Sequence, residues 1–222
     1  MRPLSPLELR ALGVLVEKQH TVPDSYPLSL NTLLLGCNQK TAREPLMNAG
    51  EAELLTSLDE LKALGLVIES SGSRVMRYEH NLARVLRLPG QSVAILALLM
   101  LRGPQTTAEL RVNTERLHRF ADLSAVEGFL DELAARAPEA GGPLVVKLPR
   151  APGAREARWA QLLGGPVDLS AAAAASSSEP ADAVMAGEIA ALRAHQRQLQ
   201  GEVLLLRSQL QRLALELGVD LS

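Results

Sequence analysis

Leu58-Asp59-Glu60-Leu61 returns later in the chain as Leu130-Asp131-Glu132-Leu133. A run with apolar residues at helical spacing precedes each copy. A short β-like apolar run follows each one, Leu66-Val67-Ile68 in the first case and Leu144-Val145-Val146 in the second. Each block then closes on one basic-aromatic signature, Arg74-x-x-Arg77-Tyr78 and Arg155-x-x-Arg158-Trp159. A helix followed by a two-stranded basic hairpin, used twice, is the outline of a tandem winged-helix protein. It points to binding rather than to catalysis.

Working outward from the first copy, Ser5-Pro6-Leu7-Glu8 reads as a helix start. Ser5 caps, Pro6 suits the first helical position, and Glu8 reaches back to the cap amide. Leu9, Leu12, Leu15 and Val16 mark one face of that helix, which runs to about Gln19. Val22-Pro23-Asp24 is a break, and Pro27 opens a second helix running to about Asn38. A third helix runs from about Gly50 to Leu64 and stops at Gly65. In the second copy, Val93 to Leu101 is an apolar helix ended by Gly103-Pro104. Thr106-x-x-Glu109 and Ser124-x-x-Glu127 each read as a capping box opening the next helix. The expected class is mainly α, an α+β winged helix used in tandem, over residues 1–88 and 89–165.

Residues 166–183 form an Ala/Ser-rich linker, carrying Ala171 to Ala175, Ser176 to Ser178 and Pro180. Beyond it, over residues 184–222, apolar positions alternate in steps of four and three: Ile189, Leu192, Gln196, Leu199, Val203, Leu206, Leu210, Leu213 and Leu217. That is an a/d heptad seam, with Gln196 as a polar a residue of the kind that fixes register. Glu188 against Arg193 and Glu202 against Arg207 are the cross-chain pairs of a parallel dimer. The expectation is therefore a homodimeric coiled coil. Leu204 and Leu205, off the seam, keep a single helix packed on its own domains as the other reading.

At 222 residues the chain has room for two small domains with an extension. Two Phe, two Tyr and one Trp leave an aliphatic core. The lone Cys37 excludes an internal disulfide and a cysteine-based zinc site, and it fits a reducing compartment. No stretch reaches the roughly 18 apolar residues of a membrane span, so a cytoplasmic protein is expected. Net charge is −2. The basic groups nevertheless gather at the ends of the two copies. Arg74, Arg77, Arg84 and Arg87 stand near Glu79 alone, and Lys147, Arg150, Arg155 and Arg158 near Glu156 alone. Such clusters bind phosphate in a neutral chain, or else form a solvated hairpin face.

His20, His80, His118 and His195 lie far apart without metal-ligand spacing, and no nucleophile motif or Gly-rich phosphate loop is present. No enzyme activity, cofactor or metal is expected. Asp59 and Glu60 diverge by about 100° as helix neighbours and read as a solvated face. The segment from Cys37 to Pro45 bunches Asn38, Gln39, Lys40 and Arg43, residue types that contact phosphates and base edges. The alternative is a loop tied down by its own amide bonds. The third helix of each copy is acidic: Glu51, Glu53, Asp59 and Glu60 against Lys62, then Glu127, Asp131 and Glu132 against Arg136. Carboxylates near phosphates oppose the counterion release that dominates DNA affinity.

The chain resembles the YceH-like proteins, a bacterial family with two winged-helix domains. The resemblance is carried by residues 21–31, Cys37-Asn-Gln-Lys40, Arg43-Glu-Pro45, Arg74-Val75 with Tyr78-Glu-His80, Leu101-Arg-Gly-Pro-Gln-Thr106, Glu109-Leu-Arg111, Arg116-Leu-His118, and Leu148-Pro-Arg150 with Pro152-Gly153 and Arg155-Glu156. It spans roughly residues 5–165. Thr41-Ala42 departs from the small polar pair of the family. The resemblance implies tandem winged helices in a bacterial cytoplasm and assigns no ligand.

Together these features predict a dimeric, non-enzymatic protein associated with double-stranded DNA, with transcriptional regulation as its candidate role. Arg74, Arg77, Arg150, Arg155 and Arg158 are the expected phosphate contacts. Asn38, Gln39, Lys40 and Arg43 are the expected groove contacts. The rival expectation is an adaptor whose winged helices dock a protein partner.

Overall fold

A computed structural model of the chain describes residues 1–70, 75–150 and 153–167. Arg74, the linker from residue 168 onward and the expected coiled coil lie outside the described residues. The described part is a mixed α/β unit, mostly helical, with two small antiparallel sheets.

α1 (Pro6–Thr21) starts as its sequence dictates. The Ser5 hydroxyl accepts from the Glu8 amide, and the Glu8 carboxylate accepts from the Ser5 amide. Ser29, however, caps α2 (Leu30–Cys37) and stands at the end of a two-residue strand, β1 (Leu28–Ser29). The helix expected from Pro27 thus begins later. A strand of two residues is too short to leave an alternating pattern. After α3 (Glu51–Ala63) come β2 (Val67–Ser70), β3 (Arg77–His80) and a short α4 (Leu82–Leu86). The second repeat contains α5 (Gly90–Arg102), α6 (Thr107–Asn113), α7 (Leu123–Ala134), β4 (Val145–Lys147) and β5 (Trp159–Gln161). The Thr106 capping box forms as expected. α7 is capped by Asp122, which accepts from Ala125, and not by Ser124. An aspartate before the helix supplies the same acceptor, with a charge that suits a helix N-terminus.

The repeats match element by element. In the first sheet β3 lies between β1 and β2, with Leu28 opposite Tyr78 and Val67 opposite His80. In the second, Lys147 lies opposite Trp159, and a single bridge from Gln105 to Trp159 stands in the place of β1. Tyr78 and Trp159, the aromatic residues of the repeated signature, therefore occupy equivalent central positions, and both are buried.

α1 and α5, the first helices of the two repeats, share the largest helix-helix interface. Every residue from Arg10 to Val16 and from Ser92 to Leu101 is buried, so both helices are enclosed on all sides. Gly13 permits the close approach: a Cβ there would lie 2.8 Å from Leu101 Cγ and 3.3 Å from the Ala97 carbonyl oxygen. The Leu4 amide also donates to the Leu163 carbonyl at 2.8 Å, tying the start of the first repeat to the end of the second. One aliphatic core results, running from Leu12 and Leu58 through Leu96 to Leu130 and Leu163. Each fully buried leucine contributes about 2 kcal/mol.

Candidate nucleic-acid interface

The basic-aromatic signature has a structural cause common to both repeats. Arg77 Nη1 donates to the Pro27 carbonyl at 2.8 Å, and Arg158 Nη1 donates to the Pro104 carbonyl at 2.8 Å. Pro27 immediately precedes β1, and Pro104 immediately precedes the Gln105 bridge. Each arginine thus pins the returning strand of its hairpin to the entry of the neighbouring strand. Arg158 also pairs with Glu109 at 3.0 Å. Both arginines are half-buried. Expected as phosphate contacts, Arg77 and Arg158 spend one and two of their guanidinium nitrogens, respectively, on bonds within the repeat.

The segment from Asn38 to Arg43 is likewise turned inward. Asn38 Nδ2 donates to the Ala49 carbonyl and its Oδ1 accepts from the Ala49 amide, closing the loop between α2 and α3. Gln39 donates to the carbonyl and hydroxyl oxygens of Thr41. The Arg43 side chain is fully buried. It donates to the Gly36 and Ala42 carbonyls and forms a two-point pair with Glu17, with one contact at 2.6 Å. Arg43 as a groove contact is therefore corrected to a loop anchor, for which a planar five-donor group is suited. Arg10, also buried, donates to the Cys37 and Pro45 carbonyls from the α1 side. Burial holds its guanidinium below the usual pKa, with Arg43 nearby adding to the effect. Burial pushes the Cys37 thiol up to about 12, so it stays protonated and unreactive. Of the four expected groove residues, Lys40 alone is exposed.

The second repeat keeps its cations outside. Arg150 and Arg155, in the loop between β4 and β5, are exposed and make no hydrogen bond or ion pair with any described residue. Lys147 is exposed and lies over the Trp159 ring, 5.3 Å from its centroid. Arg116 and Arg119, in the segment joining α6 to α7, are exposed in the same way. α7 packs against both α6 and β4, the elements from which these two cationic segments leave. Sequence reasoning overlooked Arg116 and Arg119 as candidates. Their signal was three arginines, with Arg111, against Glu115 alone over residues 111–119.

The third helices present their carboxylates outward as expected: Glu51, Glu53, Asp59, Glu60, Glu127, Asp131 and Glu132 are all exposed. Lys62 is held by Asp59 at 2.8 Å and by Glu69, and the two carboxylates raise its pKa. Among the described residues no group of three His, Cys, Asp or Glu is placed to hold a metal ion. Among the same residues no helix is long and apolar enough to cross a membrane.

Comparison with known proteins identifies the class to which this chain of two helix-and-hairpin repeats belongs. Residues 4–154 match the family model described as "Protein of unknown function, DUF480". The chain is 72% identical over 222 residues to a UPF0502 protein of Methylibium petroleiphilum, covering 100% of this chain and 93% of that protein. It is 62% identical over 221 residues to a UPF0502 protein of Leptothrix cholodnii, covering 99% and 98%. Against a UPF0502 protein of Burkholderia orbicola it is 60% identical over 220 residues, covering 99% and 92%. The chain belongs to this DUF480 family of UPF0502 proteins, in agreement with the YceH-like resemblance.

Proposed function

We propose that each repeat is a winged helix and that the protein is a non-enzymatic, cytoplasmic, DNA-associated dimer, with its second repeat as the phosphate-binding part. The order helix, short strand, two helices and hairpin supports the first statement. One observation carries the second: Arg150 and Arg155 on the hairpin, and Arg116 and Arg119 before α7, are exposed cations with no carboxylate partner among the described residues. Cations of this kind release counterions from DNA and bind without sequence preference. Lys147, fixed over Trp159, stands at the root of the same hairpin. The acidic α7 between the two segments argues for backbone contact rather than deep insertion into the groove.

Anisotropy titration of the full chain against a random duplex at low salt tests this reading. Micromolar binding is expected, and Arg150→Ala with Arg155→Ala should lower the salt slope by about two. Binding that this pair leaves unchanged, or no binding at all, refutes it. The heptad seam supports dimerisation. Sedimentation of Ile189→Glu with Leu199→Glu is expected to give a monomer where the unaltered chain gives a dimer.

A further inference from the structure

We propose that the helix-loop-helix of the first repeat, residues 30–63, docks a basic amphipathic helix of a partner protein. Along this segment Leu35 on α2 is 75% exposed, Leu46 in the loop 63% and Leu55 on α3 37%. Single exposed leucines are ordinary on protein surfaces. Three on one helix-loop-helix, at the position where a DNA reader would place its donors, are not explained by folding. Leu35 points directly away from the core-facing Leu33, Gly36 and Cys37, so it contributes little to packing.

Charge selects the partner. Glu44, Glu51, Glu53, Asp59 and Glu60 are exposed on the same segment, Glu51 and Asp59 one helical turn either side of Leu55. The cations on or against this segment are Lys40, Lys62, Arg2 and Arg102, the last beside Glu44, whose amide donates to the Leu101 carbonyl. Lys62 already sits on Asp59, and Arg2 on Glu60 at 3.1 Å. Arg43, which would have balanced the segment, is inside the fold. An acidic rim around apolar anchors repels a phosphate backbone and attracts a helix with leucines on one face and lysines beside them. The second repeat sharpens the contrast. Val112, at 68% exposure, occupies the position of Leu35, and Leu123 is 45% exposed on α7. Arg111, Arg116 and Arg119 stand beside them, so the apolar exposure recurs with the opposite charge. This inference is independent of the nucleic-acid reading, which concerns the second repeat.

The test is anisotropy of a fluorescent synthetic helix, with leucines at i, i+4 and i+7 flanked by lysines, titrated with the full chain. Saturable binding is expected. It should weaken about tenfold in Leu35→Ser with Leu55→Ser, and the matched glutamate-flanked peptide should not bind. Leu35 is exposed and Leu55 partly so, at 37%, so the fold should be kept with a small fall in melting temperature, and duplex binding through Arg150 and Arg155 should stay unchanged. The proposal is overturned by absent or non-saturable binding, or by binding insensitive to the Leu35/Leu55 pair. It is also overturned if Val112→Ser with Leu123→Ser causes the loss instead. A fall in the self-association of the full chain on Leu35→Ser with Leu55→Ser would assign this face to a second copy and overturn it too.

Discussion

The two repeats share a frame and differ in where they put their arginines. Leu54, Leu58 and Leu61 on α3 have Val126, Leu130 and Leu133 as counterparts on α7, all buried. Arg77 and Arg158 make the same bond to the same kind of carbonyl. Between the second and third helices the resemblance ends. The first repeat turns Arg43 inward, with Arg10 from α1 beside it, and closes the loop through Asn38. The second leaves Arg116 and Arg119 in solvent and makes the turn instead with Thr114, whose hydroxyl donates to the Leu110 carbonyl. One architecture therefore yields a segment locked by cations and a segment that displays them. The lesson is that cation counts do not locate a binding face; the partner of each cation does.

The strongest way to break this comparison is to remove the lock. Arg43→Met keeps most of the volume but deletes the bonds to Gly36 and Ala42 and leaves Glu17, 19% exposed, with Lys18 at 3.6 Å in place of its two-point pair. We expect a loss of about 2–4 kcal/mol in denaturant unfolding. Arg116→Met, at the corresponding segment, should change stability by less than about 0.5 kcal/mol. Equal losses at the two positions would mean that the inward and outward arrangements are energetically equivalent, and the contrast would fail.

The sequence carried some of this plainly and some not at all. Ser5-x-x-Glu8 and Thr106-x-x-Glu109 are local, and both formed as read because a capping box involves residues three apart. The hairpins were readable from their apolar runs, and the repeated signature marked two equivalent strands. The role of that signature was not readable. Arg77 and Arg158 bond backbone carbonyls 50 and 54 residues away, and a carbonyl belongs to every residue, so no side-chain pattern announces it. Arg43 poses the same difficulty, since its partner Glu17 lies 26 residues back, in a helix that offers two carboxylates. Polar residues bunched between two apolar helices look the same whether they face water or tie a loop down.

A smaller effect sharpens the comparison at the point where the repeats agree. Arg77→Ala removes one hydrogen bond to a carbonyl beside a strand, a loss of about 1 kcal/mol. Arg158→Ala removes the equivalent bond and also the pair with Glu109, whose side chain is 34% exposed. That ion pair adds at most about 0.5 kcal/mol, because solvent screens it. The expected order is therefore Arg158→Ala slightly more destabilising than Arg77→Ala, with both well below Arg43→Met. Salt separates the two contributions. Raising ionic strength should narrow the gap between the hairpin variants and leave the common loss in place, since the bond to a carbonyl is short-ranged and the ion pair is not. Thermal melts of both variants at low and high salt measure this. If neither substitution moves the melting temperature, the signature does not pin the hairpins, and its repetition needs another cause.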